Sequence, residues 1–192
     1  PFICYGPHVP YSFLGVSGAD VSSGGGCDDI IYVDRGNDTL LGGDRNDTIS
    51  GGTGNDVMEG GSGYDFLVGG AGNDTYLFGR GDVWDEVNDF DDTLGNIDTI
   101  QLDAELWPSD ITLTQDQFAV YLTINDTGDR LTIDNYFAAI GSHRIVFGDG
   151  TIWTSADIIE NLTSTIFGTE DDDVLDGTVG KDVVYAGSGD DY

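Results

Sequence analysis

Residues 15–77 are seven nine-residue units with no gap between them: "GVSGADVSS", "GGGCDDIIY", "VDRGNDTLL", "GGDRNDTIS", "GGTGNDVME", "GGSGYDFLV" and "GGAGNDTYL". The sixth position is always Asp, at Asp20, Asp29, Asp38, Asp47, Asp56, Asp65 and Asp74, while the flanking positions drift. An ordinary globular core holds the period of its apolar residues. Here one polar residue keeps the register. A chain of equivalent units implies that each makes the same contacts with its neighbours, which is the definition of a solenoid.

The unit divides in two. Its first six positions are rich in Gly, Asn and Asp, the residues that tolerate positive φ and make turns. The last three are strand-like, with one apolar residue at the eighth position: Ile31, Leu40, Ile49, Met58, Leu67 and Tyr76. Two turns and two short strands close one coil of two units, a parallel β-roll with successive coils about 4.8 Å apart. One inward side chain per strand is a poor core, and loop carboxylates stacked at that spacing repel. A hard divalent cation relieves both, since Ca²⁺ takes six to eight carboxylate and carbonyl oxygens. Mg²⁺ demands a stricter octahedron, and transition metals lack their imidazole and thiolate ligands here.

Loops on one edge of such a roll belong to alternate units, so carboxylates sharing a cation lie two units apart. The expected pairs are Asp20/Asp38, Asp38/Asp56 and Asp56/Asp74 on one edge, with Asp29/Asp47 and Asp47/Asp65 on the other. A second block opens at Gly168 with "GTEDDDVLD", "GTVGKDVVY" and "AGSGDDY", placing Asp173, Asp182 and Asp191 at sixth positions. Asp173/Asp191 is a further pair, and Asp182 has no sixth-position partner two units away. This gives about five or six calcium ions. With free Ca²⁺ ten times above Kd each site adds about 1.4 kcal/mol, so five add roughly 7, comparable with the stability of a small domain.

The second block repeats the first at one constant offset, with Gly15/Gly168, Asp20/Asp173, Asp29/Asp182 and Asp38/Asp191 all matching. A super-repeat of this kind implies a parent built of tandem units. The chain lacks an initial Met and reads as a fragment or processed piece. Between the blocks, "ITLTQDQFAVYLTI" and "RLTI" alternate around an "NDTGD" turn, predicting antiparallel strands. "RIVFGDGTIW" repeats the pattern with Gly148-Asp149-Gly150 as its turn, and Thr154 or Ser155 caps a short helix over "ADIIENL". The fold class is therefore all-β: a lead-in at 1–14, a β-roll over 15–77, a small, mainly antiparallel β domain with one short helix over 78–167, and the start of a second roll at 168–192.

Charge narrows the partners. Thirty-six acidic against six basic residues leave −30, which excludes nucleic acid and anionic membranes as electrostatic partners and favours cations. Two cysteines, Cys4 and Cys27, leave room for one bridge at most, and no apolar run reaches transmembrane length.

The units "GGTGNDVME" and "GGAGNDTYL" resemble the RTX nonapeptide GGxGxDxUx of haemolysin-type calcium-binding proteins. The stretch from "YLFGRGD" through "LTINDTGDRLTIDNYF" to "RIVFGDGTIWT" is similar to the haemolysin-type calcium-binding related domain that often follows such repeats. The resemblance implies export as an unfolded chain by a Gram-negative type I system and calcium-driven folding outside the cell or at its surface. The family includes toxins, proteases, lipases, alginate epimerases, adhesins and surface-layer proteins, so it identifies a module and leaves its role open. Against the consensus, Val33-Asp34 replace the Gly-Gly pair, Cys27 and Arg45 replace the fourth Gly, and Ser22 replaces the apolar eighth residue.

No catalytic constellation stands out. Arg80-Gly81-Asp82 spells an integrin-binding tripeptide but reads as the exit of the repeats, and His143 reads as a surface residue ahead of the "RIVF" strand. Trp84, Trp107, Trp153 and Tyr136 could form a sugar platform, though in an alternating sheet they read first as core. Two roles remain: a structural, adhesive or surface protein of tandem units docked end to end, or the noncatalytic calcium and secretion module of an exported enzyme or toxin. Polysaccharide binding on an exposed face is a third, with bound Ca²⁺ bridging any anionic glycan.

Overall fold

The computed structural model describes residues 12–15, 17–88, 95–116, 118–134, 143–167, 169–171, 174–175, 177 and 180–189. Asp173, Asp191, Cys4, His8 and Tyr136 lie outside them. The fold is all-β, with sixteen strands and a single α-helix among the described residues.

The roll starts with β1 (Ser12–Leu14), β2 (Val21–Gly25), β3 (Ile30–Tyr32), β4 (Thr39–Asp44) and β5 (Thr48–Thr53). Next come β6 (Val57–Ala71), β7 (Thr75–Phe78), β8 (Val83–Val87) and β9 (Asp98–Leu102). Consecutive units alternate between two parallel sheets, so each strand pairs with the strand two units on: Ile31 with Ile49, Leu40 with Met58, Ile49 with Leu67. A parallel sheet normally needs a long crossover. Here the next unit, lying in the opposite sheet, is the crossover. β6 runs through a corner without a break and belongs to both sheets.

Each sheet carries one column of inward side chains. Ser22, Leu40, Met58, Tyr76, Ile100 and Ile145 are successive partners in one sheet. Phe13, Ile31, Ile49, Leu67, Val87 and Ile133 are successive partners in the other. The six apolar eighth-position residues of the repeats are fully buried, as one inward side chain per strand requires.

Both columns pass residue 78 without a seam, because the strands that follow extend the roll's sheets. These are β10 (Ile111–Gln115), β11 (Ala119–Ile124), β12 (Arg130–Asp134), β13 (His143–Val146), β14 (Ile152–Trp153), β15 (Leu162–Phe167) and β16 (Lys181–Tyr185). β10–β11–β12 and β13–β14 are the antiparallel hairpins read from the alternation. Their joins to the roll, β12 on β8 and β13 on β9, are parallel, as is β10 on β15. A parallel partner in register satisfies the open backbone groups of the last coil.

Helix α1 (Ser155–Asn161) sits beyond β14 with Thr154 as its N-cap. The Asp157 carboxylate accepts hydrogen bonds from the Thr154 N–H at 2.9 Å and hydroxyl at 2.6 Å, the reciprocal half of a capping box. These bonds hold the Asp157 carboxyl below the usual range. From Leu162 the chain re-enters the roll's pattern, since Thr163 pairs with Lys181 and Thr165 with Val183, again at the spacing of two units.

Candidate metal centre

The sixth-position carboxylates form two ladders. On one edge Asp38 Oδ1 accepts the Asp20 N–H (2.6 Å), Asp56 Oδ1 that of Asp38 (2.8 Å) and Asp74 Oδ1 that of Asp56 (2.7 Å). On the other edge Asp47 serves Asp29 (2.7 Å) and Asp65 serves Asp47 (2.6 Å). The pairs the spacing singled out, Asp20/Asp38, Asp38/Asp56, Asp56/Asp74, Asp29/Asp47 and Asp47/Asp65, are therefore brought together. All are buried apart from Asp20, which is half-buried. Asp182 is exposed and lies in register with Ser164, so it faces a hydroxyl-bearing residue where the ladder elsewhere has a carboxylate.

One oxygen of Asp38, Asp47, Asp56, Asp65 and Asp74 is thus used by the backbone. Oδ2 of Asp20, Asp38, Asp47, Asp56 and Asp65 is buried without a hydrogen-bond partner. A buried carboxylate oxygen with nothing to bind costs several kcal/mol unless it is protonated or meets a cation. Burial, and then the neighbouring carboxylates, push Asp47 up to about 7 and Asp56 up to about 6. No arginine or lysine figures among the groups that shift Asp47 and Asp56, and Arg80 pairs instead with Asp126, at 3.1 Å on the surface.

In five of the seven units the first glycine, Gly24, Gly42, Gly51, Gly60 or Gly69, makes room for the unit's own carboxylate. A Cβ on Gly42 would overlap both Asp47 Oδ2 and the Gly60 carbonyl oxygen of the next coil. On Gly51 it would meet Asp56 Oδ2 and, at 2.9 Å, the Gly69 carbonyl. Carboxylate and carbonyl oxygens from successive coils converge over a bare Cα, the oxygen chemistry a hard divalent cation prefers. Among the described residues no three His, Cys, Asp or Glu side chains converge on one point. The carboxylates come in pairs, so a cation between them would take its remaining ligands from backbone carbonyls.

Comparison with known families agrees with this geometry. The profile described as RTX calcium-binding nonapeptide repeat (4 copies) matches residues 14–49, 50–82 and 163–192, together about half of the chain. The chain belongs to the RTX calcium-binding repeat family. RTX repeats bind calcium, so the cation class inferred from the oxygen donors and the family's ion coincide. The haemolysin-type calcium binding protein related domain matches residues 120–157, the hairpins β11–β12 and β13–β14 and the start of α1. No curated protein matches the sequence.

Two RTX ladder residues escape the nine-residue spacing. Asp85 Oδ1 accepts the Asp65 N–H at 3.1 Å, twenty residues on, and Asp98 Oδ1 accepts the Asp74 N–H at 2.8 Å, twenty-four residues on. Insertions move them out of frame. Their local pattern was visible nonetheless, because Asp85-Glu86-Val87 and Asp98-Thr99-Ile100 repeat the unit's Asp, any residue, apolar.

Three aromatic and histidine expectations are corrected. His143 is buried, at 1% exposure, because it opens β13 in register with Asp98 at the end of a ladder. Trp84 and Trp107 are more than half exposed. In β8 the inward places go to Asp85 and Val87, which turns Trp84 outward, where its ring lies 4.9 Å from the Arg130 guanidinium. Trp153 does pack on the core, edge-on to Phe147 with centroids 4.7 Å apart.

Proposed function

We propose that this RTX chain is an extracellular module that folds when calcium fills its roll, delivered unfolded by a type I exporter and serving as one unit of a tandem structural, adhesive or surface protein. The observation that carries the proposal is the pair of carboxylate ladders, whose steps leave buried, unpartnered oxygens beside glycines too crowded for a Cβ. Asp20, Asp29, Asp38, Asp47, Asp56, Asp65 and Asp74 are the ligands of the first roll, and Asp173, Asp182 and Asp191 those of the second, for about five or six ions in all. When bound, the ion supplies charge neutralisation and cross-links successive coils. The chain's own residues space the carboxylates, fix one oxygen of Asp38, Asp47, Asp56, Asp65 and Asp74 and keep the loop backbone open. Extracellular calcium modules have Kd values of about 10⁻⁴–10⁻³ M, which keeps such a chain unfolded in the cytosol and folds it outside.

The tandem reading rests on the registers. β1 pairs with β3 as Ser12 with Ile30, and β15 pairs with β16 as Thr165 with Val183, the same pairing carried forward by the offset of the super-repeat. No helix among the described residues is long and apolar enough to cross a membrane. Circular dichroism tests the switch. In EDTA the chain should give a coil spectrum and recover its β signal in millimolar Ca²⁺; a spectrum indifferent to calcium would overturn the proposal.

A further inference from the structure

The exit of the roll, residues 80–85, repeats the conformation of a calcium loop without its sequence. Strand register sets Val83, Trp84 and Asp85 beside Gly63, Tyr64 and Asp65. Continued backwards, that register places Gly81 beside Gly61, at the second position of the unit. Gly81 has φ +101°, against +94° at Gly61 and +95° at Gly70. Val83 stands at the fourth position, where Gly54, Gly63 and Gly72 all have positive φ, and adopts φ +71° itself. For a β-branched residue that is an outlier, held there against its own steric preference. The chain keeps the loop's shape even where its sequence opposes it.

Hydrogen bonds follow the same template. Arg45 N–H donates to the Ser62 carbonyl, and one step on Gly63 N–H donates to the Asp82 carbonyl at 3.3 Å. Asp47 N–H donates to Asp65 Oδ1, and Asp65 N–H to Asp85 Oδ1. Asp85 is 1% exposed, and its Oδ2 is buried without a partner, as is Asp65 Oδ2 one coil away. Asp82 adds a further negative charge near Asp85, and Arg80, the cation of this loop, is turned to Asp126.

We propose that Asp65 and Asp85 hold a divalent cation of the calcium type between them, completed by backbone carbonyls of the two loops. Asp85 lies beyond the nonapeptide match, which ends at residue 82. The proposal rests on the calcium reading of the roll and adds one ion at the joint between the roll and β12. The apparent cell-binding tripeptide Arg80-Gly81-Asp82 is then the first half of a metal loop.

The test uses the full chain with calcium and with Tb³⁺, whose emission is sensitised by an adjacent indole. Trp84 immediately precedes Asp85. Asp85→Asn keeps the acceptor for the Asp65 N–H and removes the charge. It should bind one Ca²⁺ fewer per chain by equilibrium dialysis and lose most of the Tb³⁺ emission excited through tryptophan. Full stoichiometry and full emission in Asp85→Asn would refute the site. If circular dichroism shows that this variant does not fold in calcium, Trp84→Phe decides: loss of tryptophan-sensitised Tb³⁺ emission at unchanged calcium stoichiometry upholds the site, and retained emission overturns it. A wild-type chain that binds no calcium at all would instead remove the reading of the whole roll.

Discussion

At the scale of the residue, position four of the unit shows what glycine is for. Gly54, Gly63 and Gly72 hold φ between +136° and +159° there, and in the fourth unit Arg45 takes φ +79°. A side chain in the left-handed region costs about 1–2 kcal/mol, and glycine returns part of that through its freer unfolded chain. Arg45→Gly is therefore expected to raise stability by about 0.5–1 kcal/mol, read as a higher melting temperature in saturating calcium. The consensus glycines were legible in the sequence as turn residues. That Arg45 holds the loop conformation regardless was not, because its strain is offset by the strand pairing on both sides of it, which no local propensity records.

At the scale of the element, a three-residue strand is too short to persist alone, and its stability comes from the column it joins. Leu67 on β6 is fully buried and lies between Ile49 and Val87 in that column. Leu67→Ala should lower unfolding free energy by about 2–5 kcal/mol, measured by denaturant titration at saturating calcium. The hairpins and α1 could be read from alternation and capping residues, which are local. The parallel joins β12–β8 and β13–β9 could not, because nothing within either strand says which distant edge it will meet. Trp84 departs from expectation for a related reason: hydrophobicity favours the core, but the pleat gives the inward places to Asp85 and Val87.

At the scale of the whole molecule, the −30 charge and the buried ladders set carboxylate repulsion and desolvation against folding, which bound cations or protons would relieve. Burial raises Asp47 to about 7 and Asp56 to about 6 in the calcium-free roll, from an ordinary 3.8. A carboxyl with a higher pKa folded than unfolded takes up protons on folding. Without calcium the roll is therefore least stable above about pH 7 and gains stability as pH falls through the two raised values. In EDTA the β signal should grow between about pH 8 and pH 5. Calcium affinity should run the other way, weakening as protons compete below about pH 7, which a calcium titration at several pH values would show.

The sequence alone determined the coil length, the ladder pairs of the first block, the oxygen chemistry and the cation class, because a strict nine-residue period makes each unit's neighbours predictable from its own position. Tertiary structure decided how the roll ends. The continuation of both sheets past residue 78, the burial of His143, and the recruitment of Asp85 and Asp98 at spacings of 20 and 24 all follow from backbone groups of the last coil needing partners. Hydrogen bonding selects for strand register and is indifferent to how many residues the chain places between one strand and the next.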